Sequence, residues 1–139
     1  MKFNPLIPTY GDQKYRGAYP SEDVEHINFV SWMRFNHPEY AAILIHPKNE
    51  GKRTFSQINK EKKMGLIKGA SDIVIPASPP FICEVKKLNH VKCKWETGQQ
   101  EYLLSAKDAG AFVCIALGAE AAKLAFNDWL KIRTINSLQ

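Results

Sequence analysis

Asp72 and the triplet Glu84-Val85-Lys86 are the residues of this chain whose types and spacing are suited to chemistry. They fall in Gly69-Ala70-Ser71-Asp72-Ile73-Val74-Ile75-Pro76 and Phe81-Ile82-Cys83-Glu84-Val85-Lys86, which read as two short strands joined by the turn Pro76-Ala77-Ser78-Pro79-Pro80. Side chains along a strand alternate faces, so Glu84 and Lys86 share one face while Phe81, Cys83 and Val85 take the other. An apolar strand that sets a carboxylate beside an ammonium is not ordinary core. If Asp72 lies next to Glu84 on the neighbouring strand, two carboxylates converge, which is costly for like charges unless a cation sits between them. Magnesium is the natural candidate, because it takes hard oxygen ligands and is held by one or two carboxylates together with substrate phosphate.

The elements that must position these groups can be read from caps and periodicity. Ser21 has the chemistry of an N-cap, with Glu22 and Asp23 in the first turn where the helix dipole favours acids. The helix runs through Val24, Ile27, Val30 and Met33 to about Phe35, where Asn36-His37-Pro38 stops it. Tyr40 to Ile45 is a continuous apolar run suited to a strand. A helix is expected over about Phe55 to Gly65, with Lys60, Lys62 and Lys63 facing solvent, and another over about Thr97 to Ala109, closed by Gly110. Between them lies the basic loop Lys87 to Trp95. Ala111 to Leu117 has the apolar continuity of a buried strand, and Ala119 to about Lys131 forms a last amphipathic helix through Ala122, Leu124, Phe126 and Leu130. The order predicts an α/β domain with a mixed central sheet of about four strands flanked by helices.

The chain has 139 residues, enough for one core and one domain. An arm over residues 1–20, a domain over 21–132 and a tail over 133–139 are expected. Its 45% hydrophobic and 24% charged residues are ordinary for a globular protein, and the net charge of +5 favours a polyanionic partner. The three cysteines, Cys83, Cys93 and Cys114, are odd in number and read as reduced thiols, with Cys83 and Cys114 in the core. His90 and Cys93 are too few for a zinc site. The N-terminus shows no secretory leader and no apolar run approaches the roughly 20 residues needed to cross a bilayer, so a cytoplasmic location is expected.

The chain resembles the PD-(D/E)XK nucleases, and among them the virus-type replication-repair nuclease (VRR-NUC) domain. Five marks carry the resemblance in the family's order: an acid on an early helix, Glu22 or Glu25; Pro47-Lys48-Asn49-Glu50-Gly51-Lys52-Arg53 as a Pro-Asn-Gly-Gly-x-Arg-like loop; Gly65 to Asp72 as Gly-x-x-x-Gly-x-x-Asp; Glu84-Val85-Lys86; and Gln99 ahead of Gly110. The match spans about Ser21 to Leu130. Two departures stand out. Ser71 occupies the place of the usual Pro, which alters the turn but not the ligand. The early acid is open, since family spacing favours Glu22, four residues before His26 where a glutamine is common, and Glu25 lies one turn on.

The resemblance implies a restriction-endonuclease-like fold and a magnesium-dependent DNA endonuclease, with manganese able to substitute. Asp72 and Glu84, joined by the Val85 carbonyl, would hold the metal. Lys86 would position water or neutralise charge on the phosphate, Gln99 would steady the water or the lysine, and Glu22 or Glu25 would serve the metal shell. Small stand-alone members look like phage proteins of replication, recombination or repair that act as homodimers on branched DNA, in the host cytoplasm. Lys48, Asn49, Lys52, Arg53, Lys68, Lys87, Lys92 and Lys94 are candidate contacts to DNA, with Trp95 beside them. The rival readings are an accessory protein that binds nucleic acid without cutting, and a protein-interaction module with a basic surface.

Overall fold

The structure, a computed structural model, describes residues 1–47 and 54–137. In chain order its elements are β1 (Thr9–Tyr10), α1 (Glu22–Asn36), α2 (Pro38–Ala41), α3 (Phe55–Lys63), β2 (Ile73–Ile75), β3 (Phe81–Lys86), α4 (Gln99–Asp108), β4 (Phe112–Leu117) and α5 (Ala119–Ser137). The sheet runs β1-β4-β3-β2, with β1 and β3 parallel to β4 and β2 antiparallel to β3. The expected mixed four-stranded α/β architecture is therefore present.

Alternation along β3 and β4 feeds two cores. Phe81, Cys83, Val85, Cys114 and Ala116 face α1 and α5, where they meet Phe29, Met33, Phe126 and Trp129. Ile82, Val113, Ile115 and Leu117 face the other way and meet Leu103 of α4 and Ile7 of the arm. Phe29, Phe81 and Phe126 are wholly buried, each contributing about 1.5–3 kcal/mol relative to exposure. Cys83 and Cys114 are buried free thiols, as expected.

Four expectations need correction. Tyr40–Ile45 is not a strand: Pro38 sits in the first turn of the short helix α2, where its missing N–H costs nothing, and only Ile45 reaches the sheet, through a single bridge to Val74. The fourth strand is instead Thr9–Tyr10, so the arm is an integral edge of the sheet. On α1 the buried stripe is Glu25, Phe29 and Met33, at four-residue spacing, while Val24 and Ile27 are 44% and 61% exposed. On α5 Leu124 is 59% exposed, and the helix continues past Lys131 to Ser137, through most of the segment expected as a tail. Among the described residues, no helix is long and apolar enough to cross a membrane.

Candidate active site

The site forms where the sheet opens. Antiparallel pairing between β2 and β3 ends at Ile73 opposite Cys83, and the same register carried one residue further sets Asp72 opposite Glu84. There the chain leaves the ladder, and the Asp72 carboxylate takes over the pairing: its Oδ2 accepts the Val85 N–H at 2.9 Å. Beyond that point β3 continues alone on this side, carrying Glu84 and Lys86 on the α4 face. Both side chains are buried.

Gly69 and Gly98 make this geometry compact. Both have φ near +90°, and a Cβ on Gly69 would lie 2.3 Å from the Gly98 carbonyl carbon, while one on Gly98 would lie 2.5 Å from the Lys68 oxygen. Only glycine permits that backbone contact. It presses the approach to Asp72 against the start of α4, whose first residue is Gln99. Gly69 was legible as a turn glycine; Gly98 was not, because its role depends on a segment about thirty residues away.

Gln99 joins the two groups of β3. Its Nε2 donates to Glu84 Oε1 at 3.1 Å, and its Oε1 accepts from Lys86 Nζ at 3.3 Å and from the Glu96 N–H at 2.9 Å. Lys86 also donates to the Lys94 carbonyl at 3.4 Å. The other Glu84 oxygen, Oε2, is buried without a hydrogen-bond partner. Burial, followed by the charge of Asp72, pushes the Glu84 carboxyl up to about 9, with Lys86 pulling it down. A buried carboxyl with an orphaned oxygen beside a second carboxylate is a place where a cation would relieve a real cost. Among the described residues no three His, Cys, Asp or Glu side chains converge, and the pair Asp72 and Glu84 fits magnesium, which completes its shell with water and phosphate.

A cleft of about 340 Å³ opens beside this pair, lined by Glu22, Asp23, His26, Ile27, His46, Asp72 and Val85. Glu22 therefore faces the candidate site. Burial raises its carboxyl, Lys86 and then Lys87 oppose this, and Asp72 adds to it. Glu25 is committed elsewhere: its buried Oε2 accepts the Ala119 N–H at 3.3 Å, capping α5 where the helix dipole favours an anion. Of the two helix acids, the structure brings only Glu22 to the cleft.

Two cleft residues were not singled out as site groups. His46 Nδ1 donates to the Asp72 carbonyl at 2.7 Å, and its ring lies 4.3 Å from that of His26. The Ile45–Val74 bridge, with N–H···O distances of 2.8 and 2.9 Å, holds His46 in place. Burial and then His46 lower the His26 pKa. No local pattern marks this pair, since residues 26 and 46 are far apart in sequence and their rings meet only in the tertiary fold.

Lys68, Lys92 and Lys94 are exposed and Lys87 is half-buried. Trp95 is not a free DNA contact; its Nε1 donates to the Lys2 carbonyl at 2.8 Å and its ring packs on the second core. Lys48, Asn49, Lys52 and Arg53 lie outside the described residues.

The sheet with its opened β2–β3 edge and a carboxylate on each side defines a restriction-endonuclease-like α/β core, a nuclease-type fold. No family model matches the sequence, and none of the curated proteins compared matches it. Among solved structures, the chain is similar to one described as a "VRR_NUC domain protein", with a TM-score of 0.64 and 17% identity over 84% of this chain and 92% of that one. The chain has the VRR-NUC fold.

Proposed function

We propose that this protein is a magnesium-dependent endodeoxyribonuclease, with branched or junction DNA as its substrate class in phage replication, recombination or repair. The observation that carries the reading is Asp72 facing Glu84 across the opened strand pair, with Glu84 Oε2 unpartnered and Lys86 on the same face.

Asp72 and Glu84 would hold the ion, with the Val85 carbonyl as a further oxygen. Magnesium bound there supplies charge for the phosphate and lowers the pKa of a bound water. Lys86 sets an ammonium beside the place where negative charge builds up on the phosphate. Gln99, bonded to both Lys86 and Glu84, keeps the ammonium and the carboxylate in register. Glu22, which lines the same cleft, would serve the metal shell. Exposed lysines at 68, 92 and 94, with Lys48, Asn49, Lys52 and Arg53, would supply phosphate contacts. A homodimer would match two such sites to a two-sided junction.

Cleavage of labelled single strand, duplex, 5′ flap and four-way junction, with magnesium or manganese, tests this reading. Wild type is expected to cut and to prefer branched DNA, and Asp72→Ala and Glu84→Ala to abolish cutting while DNA binding persists. Absence of cutting on every substrate, with salt-sensitive binding, would replace it with the accessory DNA-binding reading.

A further inference from the structure

The N-terminal arm lies against the loop after β3, and polar bonds fix the contact. Buried His90 meets the Gln13 carbonyl through Nε2 at 2.8 Å, and within the arm itself the Tyr15 hydroxyl donates to the Ala18 carbonyl. Between arm and loop is a pocket of about 420 Å³ whose lining includes Arg16, Tyr19, Asn89, Val91 and Lys92. That volume is in the range of about 300–1,000 Å³ typical of small-ligand sites.

Its chemistry is the reverse of the acid-lined cleft. Arg16 rests Nη1 on the Gln13 and Tyr15 carbonyls at 2.9 and 2.8 Å, which steadies the guanidinium while its remaining N–H groups stay available. Lys87 Nζ lies 5.5 Å from the centre of the Tyr19 ring, and Tyr19 is 38% exposed. Asn89 uses its side-chain oxygen on the Val91 N–H at 3.1 Å, leaving its NH₂ as a donor. Cations, an amide and a partly exposed aromatic ring are the groups that recognise a nucleotide. The position matters too: Tyr19 lies three residues before Glu22, and Lys87 directly follows Lys86. Lys87 links pocket and cleft in space, since its ammonium lies over the Tyr19 ring and also acts on the Glu22 carboxyl of the cleft.

We infer that this pocket takes a single-stranded segment of the DNA, with one base against Tyr19 and flanking phosphates on Arg16, Lys87 and Lys92. The inference rests on the nuclease reading for its choice of DNA. A base inside a duplex already has both faces stacked and cannot use the Tyr19 ring, whereas an unpaired base gains stacking free energy from it. The pocket therefore selects substrates with an unpaired strand beside the cut.

Fluorescence anisotropy in EDTA, with labelled oligothymidylate and a hairpin duplex of equal length, tests it. Tyr19→Ala is expected to weaken oligothymidylate binding about tenfold and duplex binding less than about twofold, with Tyr19→Phe at wild-type affinity. Arg16→Ala combined with Lys92→Ala should flatten the single-strand salt slope by about 1.4, or about 0.7 for each phosphate no longer neutralised. Unchanged melting curves establish that the variants are folded. No oligothymidylate binding by wild type, or a Tyr19→Ala effect that is absent or equal on both DNAs, would overturn the inference. Tyr19-dependent binding without cleavage on any substrate would instead overturn the nuclease reading and leave the pocket standing.

Discussion

Gly69 and Gly98 touch backbone to backbone, so that neither position has room for a Cβ: the nearest atom would lie 2.3 Å away at Gly69 and 2.5 Å away at Gly98. The contact ties the segment before Asp72 to the start of α4 and so sets the distance between one carboxylate and Gln99. Alanine at either position costs about 1–2 kcal/mol for its backbone conformation and must also push the two segments apart. Gly65 also has positive φ but meets open space, which makes it the control. Gly65→Ala should lower the melting temperature by a few degrees and leave cleavage intact. Gly98→Ala and Gly69→Ala should lower it further and cut less DNA per folded molecule. Equal effects at all three positions would show that the contact does not organise the site.

The Glu84 carboxyl makes metal-free stability depend on pH. Its folded pKa of about 9 lies above its ordinary value of 4.5, so the folded state binds more protons than the unfolded one between these values. Stability without metal should therefore fall as pH rises through that window, and be fully retained below about 4.5 as far as this group is concerned. Glu84→Gln should flatten the profile and be more stable than wild type at pH 8 in EDTA. Magnesium, which needs the ionised carboxylate, should raise the wild-type melting temperature more as pH increases and leave Glu84→Gln unmoved. Parallel melting profiles for the two proteins would refute this account.

Glu22 and Glu25 are one turn apart yet do different work. Glu22→Gln should keep or slightly raise the melting temperature without metal and lose cleavage. Glu25→Ala removes the oxygen that caps the Ala119 N–H at the start of α5 and should cost about 1–2 kcal/mol of stability, with cleavage retained by the folded fraction. Denaturant melts read alongside cleavage rates separate the two, and the reverse pattern would exchange the assignments.

Lys86 and Gln99 should differ in size of effect. Lys86→Met removes the ammonium itself, and a loss in kcat of about 100-fold or more is expected. Gln99→Ala only frees that ammonium and Glu84, so a smaller loss of about tenfold is expected, with KM for DNA unchanged. A raised KM at constant kcat would place Gln99 in DNA binding instead.

His46 holds the Asp72 backbone through one hydrogen bond. Groups that orient a metal ligand in this way typically contribute about 10- to 100-fold in affinity. His46→Ala should weaken manganese binding, followed by calorimetry, by an amount in that range. An unchanged affinity would confine His46 to packing against His26.

Several features were legible because they are local. Ser21 accepts the Val24 N–H at 3.2 Å, as its cap chemistry required, and α1 ends before Pro38. β3 spans Phe81–Lys86, and period-two alternation placed Glu84 and Lys86 on one face. The apolar run Tyr40–Ile45 misled, because continuous hydrophobicity at that length does not distinguish strand from helix and Pro38 favoured a helical start. Val24 and Ile27 misled for a related reason: α1 carries two apolar stripes, and periodicity alone does not tell which one meets a partner.

The sequence by itself determined which residues alternate, cap and turn, since those follow from sterics and hydrogen bonding within a few neighbours. It thereby determined that a carboxylate and a lysine share one face of β3, with an aspartate heading the strand before it. Tertiary structure alone decided that Thr9–Tyr10 completes the sheet beside β4, because a two-residue strand has no period to read and is held by a partner about a hundred residues away. It also decided that Glu22 faces the cleft while Glu25 caps α5, and that Gly98 lies under Gly69. Each of these depends on which surface of an element is buried against another, and that choice is made by packing between distant segments rather than by either segment alone.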